Sequence, residues 1–193
     1  MTKLCLFIGL FFLSLGMSNA QVQEYEANES YPYGRLNPDA PSQLGDYSPL
    51  IGLHKCATVM RGASTDWADT VQMDWQFKYI MNGLAVQDEV WKADGVYAGS
   101  IRQFNADSAR WYVHYYSSGA APARLQTWEG NLDASGDMVL YSPQTAPNGM
   151  DGFYKITFAD ISEKGFNWQG EWVDPAETIS FPLWRIFCES VDR

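Results

Sequence analysis

Several residue types are scarce in this chain of 193 residues, and each shortage excludes a class of function. There are two histidines, His54 and His114, and neither lies in an H-x-H or HExxH pattern, so the sequence carries no recognisable metal site. It has no G-x-S-x-G segment and no glycine-rich phosphate-binding loop, the motifs of common hydrolases and nucleotide-binding proteins. We therefore expect neither a metal nor a cofactor.

Positive charge is scarce as well. The chain has 13 lysines and arginines against 23 aspartates and glutamates, a formal net charge of −10. An acidic surface repels the phosphates of nucleic acids and of anionic lipids. Nucleic acid and membrane surfaces are therefore not the expected partners.

Only one long apolar run is present, Leu4–Leu15, at the start of the chain. Lys3 precedes it and the small-residue segment Ser18-Asn19-Ala20 follows it, which is the pattern of a cleavable secretory signal peptide. The run is too short to span a bilayer, which takes about 20 residues. The sequence predicts a signal peptide over residues 1–20, no membrane insertion, and export to the periplasm or the extracellular space.

The remainder of the chain is rich in strand patterns. The segment VQMDWQFKYI, residues 71–80, alternates apolar and polar side chains, and similar runs follow it, separated by turn signals such as Asn82-Gly83 and Asp94-Gly95. No segment keeps a helical spacing of apolar residues for long. The predicted strands are Lys55–Arg61, Val71–Ile80, Leu84–Lys92, Val96–Phe104, Arg110–Ser117, Leu125–Leu132, Asp137–Ser142, Gly152–Phe158, Gly165–Val173 and Leu183–Glu189.

About ten strands in hairpin succession, with no helices to cover a sheet, favour closure, because closure removes exposed edges. We predict an all-β domain, an antiparallel up-and-down β-barrel over residues 49–193. Residues 21–48 contain three prolines and no periodic pattern, so we expect an irregular N-terminal arm that is dispensable for folding.

The apolar side of each strand should face the barrel interior, where large aromatic residues are abundant. Many of these rings carry polar atoms, which favour a wet or ligand-facing environment over a dry core. We therefore expect a cavity, with Arg102 at its mouth to hold an acidic head group; an outward Arg102 paired with a surface acid is the alternative. The predicted ligand-binding residues are Trp75, Phe77, Tyr79, Arg102, Trp111, Tyr115, Trp128 and Trp168.

Two cysteines, Cys56 and Cys188, follow the predicted signal peptide, and an exported chain meets oxidising conditions. They belong to the first and last predicted strands, which are neighbours in a closed antiparallel barrel with an even number of strands. The sequence thus predicts a disulfide that closes the barrel; two separate buried thiols are the alternative.

The chain from about residue 49 resembles the lipocalin-like (calycin) barrels, and especially an uncharacterised bacterial set of unknown function. The resemblance is carried by PLIGLHKC, NGLAVQDEVW, GSIRQFNADSARWYV, LQTWEGNL and an arginine in the closing strand. In lipocalins a Gly-x-Trp on the first strand packs beneath an arginine of the last strand. The resemblance places Gly52-Leu53-His54 and Arg185 in these positions. It implies a barrel that binds a small, largely apolar molecule.

A carbohydrate-active protein is the alternative, because exported, acidic, tryptophan-rich β-proteins also include sugar-binding modules and glycosidases. Glycosidases need two carboxyl groups about 5–10 Å apart. The candidates are Glu129, Glu171 and the neighbours Asp88 and Glu89, of which Asp88 has inward parity. The sequence favours a binding protein for an apolar or amphipathic molecule over an enzyme.

Overall fold

The computed structural model describes residues 23–62, 66–119 and 122–191. The predicted signal peptide, residues 1–20, lies outside this part of the chain. A 3₁₀ helix, Ser42–Leu50, precedes ten strands. The strands are β1 Gly52–Met60, β2 Val71–Ile80, β3 Ala85–Lys92, β4 Tyr97–Asn105, β5 Arg110–Ser117, β6 Gln126–Leu132, β7 Met138–Pro143, β8 Phe153–Ser162, β9 Gly165–Val173 and β10 Ser180–Ser190.

The ten strands form one closed barrel in which every strand pairs antiparallel with its neighbour in sequence and β1 pairs with β10. This confirms the predicted all-β, up-and-down architecture. Closure leaves no strand edge unpaired, which is how a barrel avoids association through exposed edges. Among the residues described, no helix is long and apolar enough to cross a membrane.

Three strands extend three or more residues beyond the predicted runs: β1, β8 and β10, which begins at Ser180 rather than Leu183. β1 begins at Gly52 rather than Lys55, because Gly52 and His54 keep the inward alternation although neither is an apolar residue. β8 continues from Phe158 to Ser162 through a register shift against β9, with Asp160 at a φ of 54°. A bulge of this kind interrupts the period of two by which the strand is recognised in the sequence.

Because consecutive strands run in opposite directions, the barrel has one end formed by the start of β1 and the turns after β2, β4, β6 and β8. We call this the sealed end, because the 3₁₀ helix packs there with Leu44, Tyr47 and Leu50 fully buried. The Tyr47 ring meets the edge of Trp111 at 4.7 Å between ring centroids. The opposite end is the open end.

The N-terminal arm is therefore more ordered than the sequence indicated. Residues 23–41 run along the sealed end, where the backbone N–H of Tyr79 donates to the Tyr33 carbonyl at 2.8 Å. Glycine is required at position 83, where the arm passes the turn between β2 and β3, since a Cβ there would lie 2.4 Å from the Arg35 carbonyl oxygen. The prediction of an irregular arm overlooked the helix. Because Tyr47 is fully buried, we now expect the chain before residue 48 to support the barrel rather than to be dispensable, which truncation tests.

The predicted disulfide is present. Cys56 and Cys188 face each other across β1 and β10 with their Cα atoms 4.1 Å apart. Both side chains are buried inside the barrel. The bond joins the one pair of neighbouring strands that no turn connects.

His54 and Arg185, which the resemblance assigned to the lipocalin motif, do not pack against each other. His54 is buried at the sealed end, where its Nε2 donates to the Leu50 carbonyl at 2.8 Å and its ring meets Phe77 and Phe166 edge-on. Arg185 lies on the outer surface over the ring of Trp67, at 4.7 Å, so it does not cover position 54. Its outward position follows from the alternation of β10, in which Ile186 and Cys188 face inward.

Candidate functional site

A cavity of about 480 Å³ occupies the open half of the barrel. This volume lies within the range of about 300–1,000 Å³ that is usual for small-molecule sites. Met60, Lys92 and Trp184, near the open ends of their strands, contribute to its lining. The interior that the sequence predicted to be hollow is therefore hollow at one end and packed at the other.

Five of the eight predicted ligand-binding residues line the cavity. They are Trp75, Arg102, Tyr115, Trp128 and Trp168.

The other three, Phe77, Tyr79 and Trp111, lie in the packed sealed end, outside the cavity lining. Trp111 donates its Nε1–H to Asp46 at 3.0 Å, and the Tyr79 hydroxyl lies 2.9 Å from that of Ser48. The polar atoms of these rings therefore contact the N-terminal arm. Alternation along a strand predicts which side chains face inward, but not how far each lies along the barrel axis.

One wall of the cavity is apolar and aromatic. Trp168 packs edge-on against Trp184 at 5.1 Å between centroids and against Trp75 at 6.5 Å. Ile156 and Ile186 continue this wall on β8 and β10. These side chains provide a surface suited to a flat apolar group.

The floor of the cavity contains a buried ion pair. Arg102 and Asp88 are each 2% exposed, and the guanidinium Nη1 donates to the Asp88 Oδ1. The other carboxylate oxygen, Oδ2, accepts a hydrogen bond of 2.6 Å from the Trp75 Nε1–H. Burial, the largest single effect, acts to lower the pKa of Arg102, but the charge and hydrogen bond of Asp88 together with the interactions with Tyr47 outweigh it, so the pKa lies above its usual value and Arg102 stays charged.

Arg102 also separates the cavity from the sealed end. Its Cζ lies 5.2 Å from the centroids of the Tyr47 and Phe77 rings and 5.6 Å from that of Phe158. Burial raises the pKa of Tyr47 to about 12, so its phenol is neutral. The structure thus places Arg102 at the floor rather than at the mouth or on the outer surface, because its strand position is midway along β4 and its carboxylate partner is internal.

The carboxylates considered for sugar hydrolysis do not face one another. Asp88 lies inside, bonded to Arg102. Glu129 and Glu89 alternate outward and pair with Arg110 at 3.4 Å and with Lys78 at 3.3 Å. Glu171 lies on the outer side of β9 but is buried, at 8% exposure, and accepts a hydrogen bond from Ser180. The arrangement therefore provides no pair of these carboxyl groups across a common cleft.

Sequence reasoning missed several residues of the cavity, notably Ser100, Tyr154 and Trp184. Strand alternation indicates that they face inward. Ser100 has the same parity as Arg102 on β4, and Trp184 has the same parity as Cys188 on β10. Tyr154 shares the parity of Phe158, and burial, followed by the nearby Tyr115, raises its pKa, so its phenol is neutral. Ser100 was not predicted as a lining residue because serine is small and polar.

No protein-family model and no curated protein matches this chain. The closed ten-stranded antiparallel barrel is consistent with a calycin-like fold. The cavity and its lining are therefore the features of this chain that bear on its function.

Proposed function

We propose that this protein binds one small, apolar or amphipathic molecule inside its barrel and acts as an exported binding protein. The observation that carries the proposal is the 480 Å³ cavity, sealed at one end by the arm and the ion pair and lined by tryptophans at the other. A well-packed protein interior has few voids larger than a water molecule, so a hollow of this size is unusual without a ligand.

The lipocalin-like resemblance supports the same function, and we propose that the chain is a divergent member of that group, with His54 in place of the tryptophan of the first strand. The disulfide Cys56–Cys188 supports a location in an oxidising compartment, the periplasm or the extracellular space. Amino-terminal sequencing of the exported protein tests the location, and cleavage after Ala20 is expected.

Binding is tested by filling the cavity. Ala98 lines the cavity near the open end of β4, and its cross-strand neighbours are Val90 and Ser117. The Ala98→Trp variant adds a bulky ring there and should weaken binding of N-phenyl-1-naphthylamine, an uncharged fluorescent probe, by at least about tenfold, equivalent to about 1.4 kcal/mol.

Ala159→Trp is the matched control, because Ala159 lies beside an outer groove of β8 and β9, away from the cavity. It should bind the probe as the wild type does. Wild-type protein that gives no saturable fluorescence, or equal loss in the two variants, contradicts the proposal. Native mass spectrometry of protein purified from the exported fraction provides an independent measurement, a co-purified small molecule.

A further inference from the structure

A row of polar side chains crosses the cavity wall opposite Trp168 and Trp184. The strand register places Asp88 opposite Ser100, Ser100 opposite Tyr115, and Tyr115 opposite Gln126, on four consecutive strands. All four residues line the cavity. Adjacent strands lie about 4.8 Å apart, so the row extends for about 14 Å along one side of the cavity.

The middle of this row has unused hydrogen-bonding capacity. Ser100 is 6% exposed and Tyr115 is half-buried, and among the described side chains neither hydroxyl has a hydrogen-bond partner. Buried hydroxyls are normally hydrogen-bonded, to protein, water or ligand. Ser100 and Tyr115 can each donate one hydrogen bond and accept another.

The charges around the cavity are already matched. Asp88 is paired with Arg102 and accepts hydrogen bonds on both oxygens. Lys92, near the mouth, lies 3.1 Å from the Asp94 carboxylate. These are the charged side chains of the cavity lining in the described chain, so an ionised ligand group would lose its hydration without gaining a counter-charge.

We propose that the ligand is an uncharged, flat molecule whose hydroxyl or carbonyl groups lie along one edge. The edge with the hydroxyl or carbonyl groups faces Ser100 and Tyr115. The apolar remainder of the molecule packs on Trp168 and Trp184. This inference rests on the proposed binding function and defines its ligand class.

A matched set of fluorescent probes tests the ligand class. Pyrene, 1-pyrenemethanol, pyrene-1-carboxylate and 1-pyrenemethylammonium share one apolar body and differ in a single polar group. We expect the alcohol to bind about fivefold more tightly than pyrene, the gain of one ordinary hydrogen bond, and both ions to bind more weakly than pyrene. Tighter binding of either ion than of the alcohol would overturn the inference.

Two variants locate the polar contact. Ser100→Ala or Tyr115→Phe, according to which hydroxyl the alcohol contacts, should weaken binding of 1-pyrenemethanol about fivefold, and both should leave binding of pyrene within twofold. Ser142→Ala is the control, because Ser142 is an inward hydroxyl on β7 that does not line the cavity. Thermal melts verify that all three variants fold.

The outcomes separate the two proposals. If pyrene itself does not bind to the wild type, the proposed function fails and this inference fails with it. If pyrene binds but the alcohol has no advantage, or Ser100→Ala and Tyr115→Phe leave that advantage intact, the binding function stands and the ligand class is wrong.

Discussion

At the residue scale, the most informative feature is a charge pair inside a largely apolar barrel. Alternation along β3 and β4 puts Asp88 and Arg102 on the inner face, so the inward orientation of both side chains could be predicted from the sequence. It did not indicate that they meet, because Asp88 pairs in register with Ser100 while Arg102 pairs with Val86, and the side chains reach each other diagonally. Long side chains span such diagonal positions in a sheet.

We predict that Arg102→Met lowers the free energy of unfolding by about 3–5 kcal/mol, because it leaves the Asp88 carboxylate buried without a counter-charge. Urea denaturation measures this. The double variant Asp88→Asn/Arg102→Met should lose less than the single one, since no isolated charge remains.

The control for this prediction is Lys55→Met, which removes an equally direct contact to Asp74, at 2.8 Å, on the outer surface. An exposed pair of this kind contributes about 0–1 kcal/mol. A cost for Arg102→Met that is no greater than for Lys55→Met would show that the buried pair does not hold the cavity floor.

At the scale of elements, the strands were predictable and the helix was not. A strand with one buried face repeats its apolar residues every second position, and β2 and β5 have the predicted bounds without change. The 3₁₀ helix buries Leu44, Tyr47 and Leu50, which recur every third residue. That is the period of a 3₁₀ helix, but three residues are too few for a pattern, and a proline at position 49 conceals it further.

We predict that the barrel depends on this helix. A chain that begins at Pro41 retains it, and should unfold cooperatively with a modest loss of stability from the missing arm contacts. A chain that begins at Ile51 loses the three buried side chains, of which the two leucines alone contribute about 1.5–3 kcal/mol each. Since typical domains are stable by about 5–15 kcal/mol, this chain should lose its sharp thermal transition.

Near-ultraviolet circular dichroism follows this transition through the packed Trp111 ring. Equal melting temperatures for the two shortened chains would mean that the helix packs on the sealed end without stabilising the barrel. Tyr47→Ala in the full-length chain separates packing from chain length, and its matched control is Tyr31→Ala, where the ring is 44% exposed.

For the whole molecule, closure of the barrel could be predicted from the sequence. The division of its interior into a packed end and a hollow end could not. Ten hairpin-linked strands with one apolar face have few ways to bury that face, so the barrel and the pairing of β1 with β10 were predictable. Whether aromatic side chains fill the interior depends on their summed volume and their depth. The helix adds Tyr47 and Leu50 at one end only, and that leaves the cavity at the other.

The seam between β1 and β10 is held by backbone hydrogen bonds, by Cys56–Cys188 and by side-chain hydrogen bonds such as that from the Trp184 Nε1–H to the Thr58 hydroxyl. The bond links positions 132 residues apart, for which the chain-entropy relation gives at most about 5 kcal/mol of stabilisation. Cys56→Ala/Cys188→Ala should therefore lower the urea midpoint markedly while keeping the barrel signal in far-ultraviolet circular dichroism.

Because both cysteines are buried, a reductant should leave the bond intact in the native protein and cleave it once urea unfolds the chain. Alkylation followed by peptide mapping checks this directly: two labelled thiols in the unreduced, denatured protein would refute the bond, and labelling by reductant without urea would show that the seam opens.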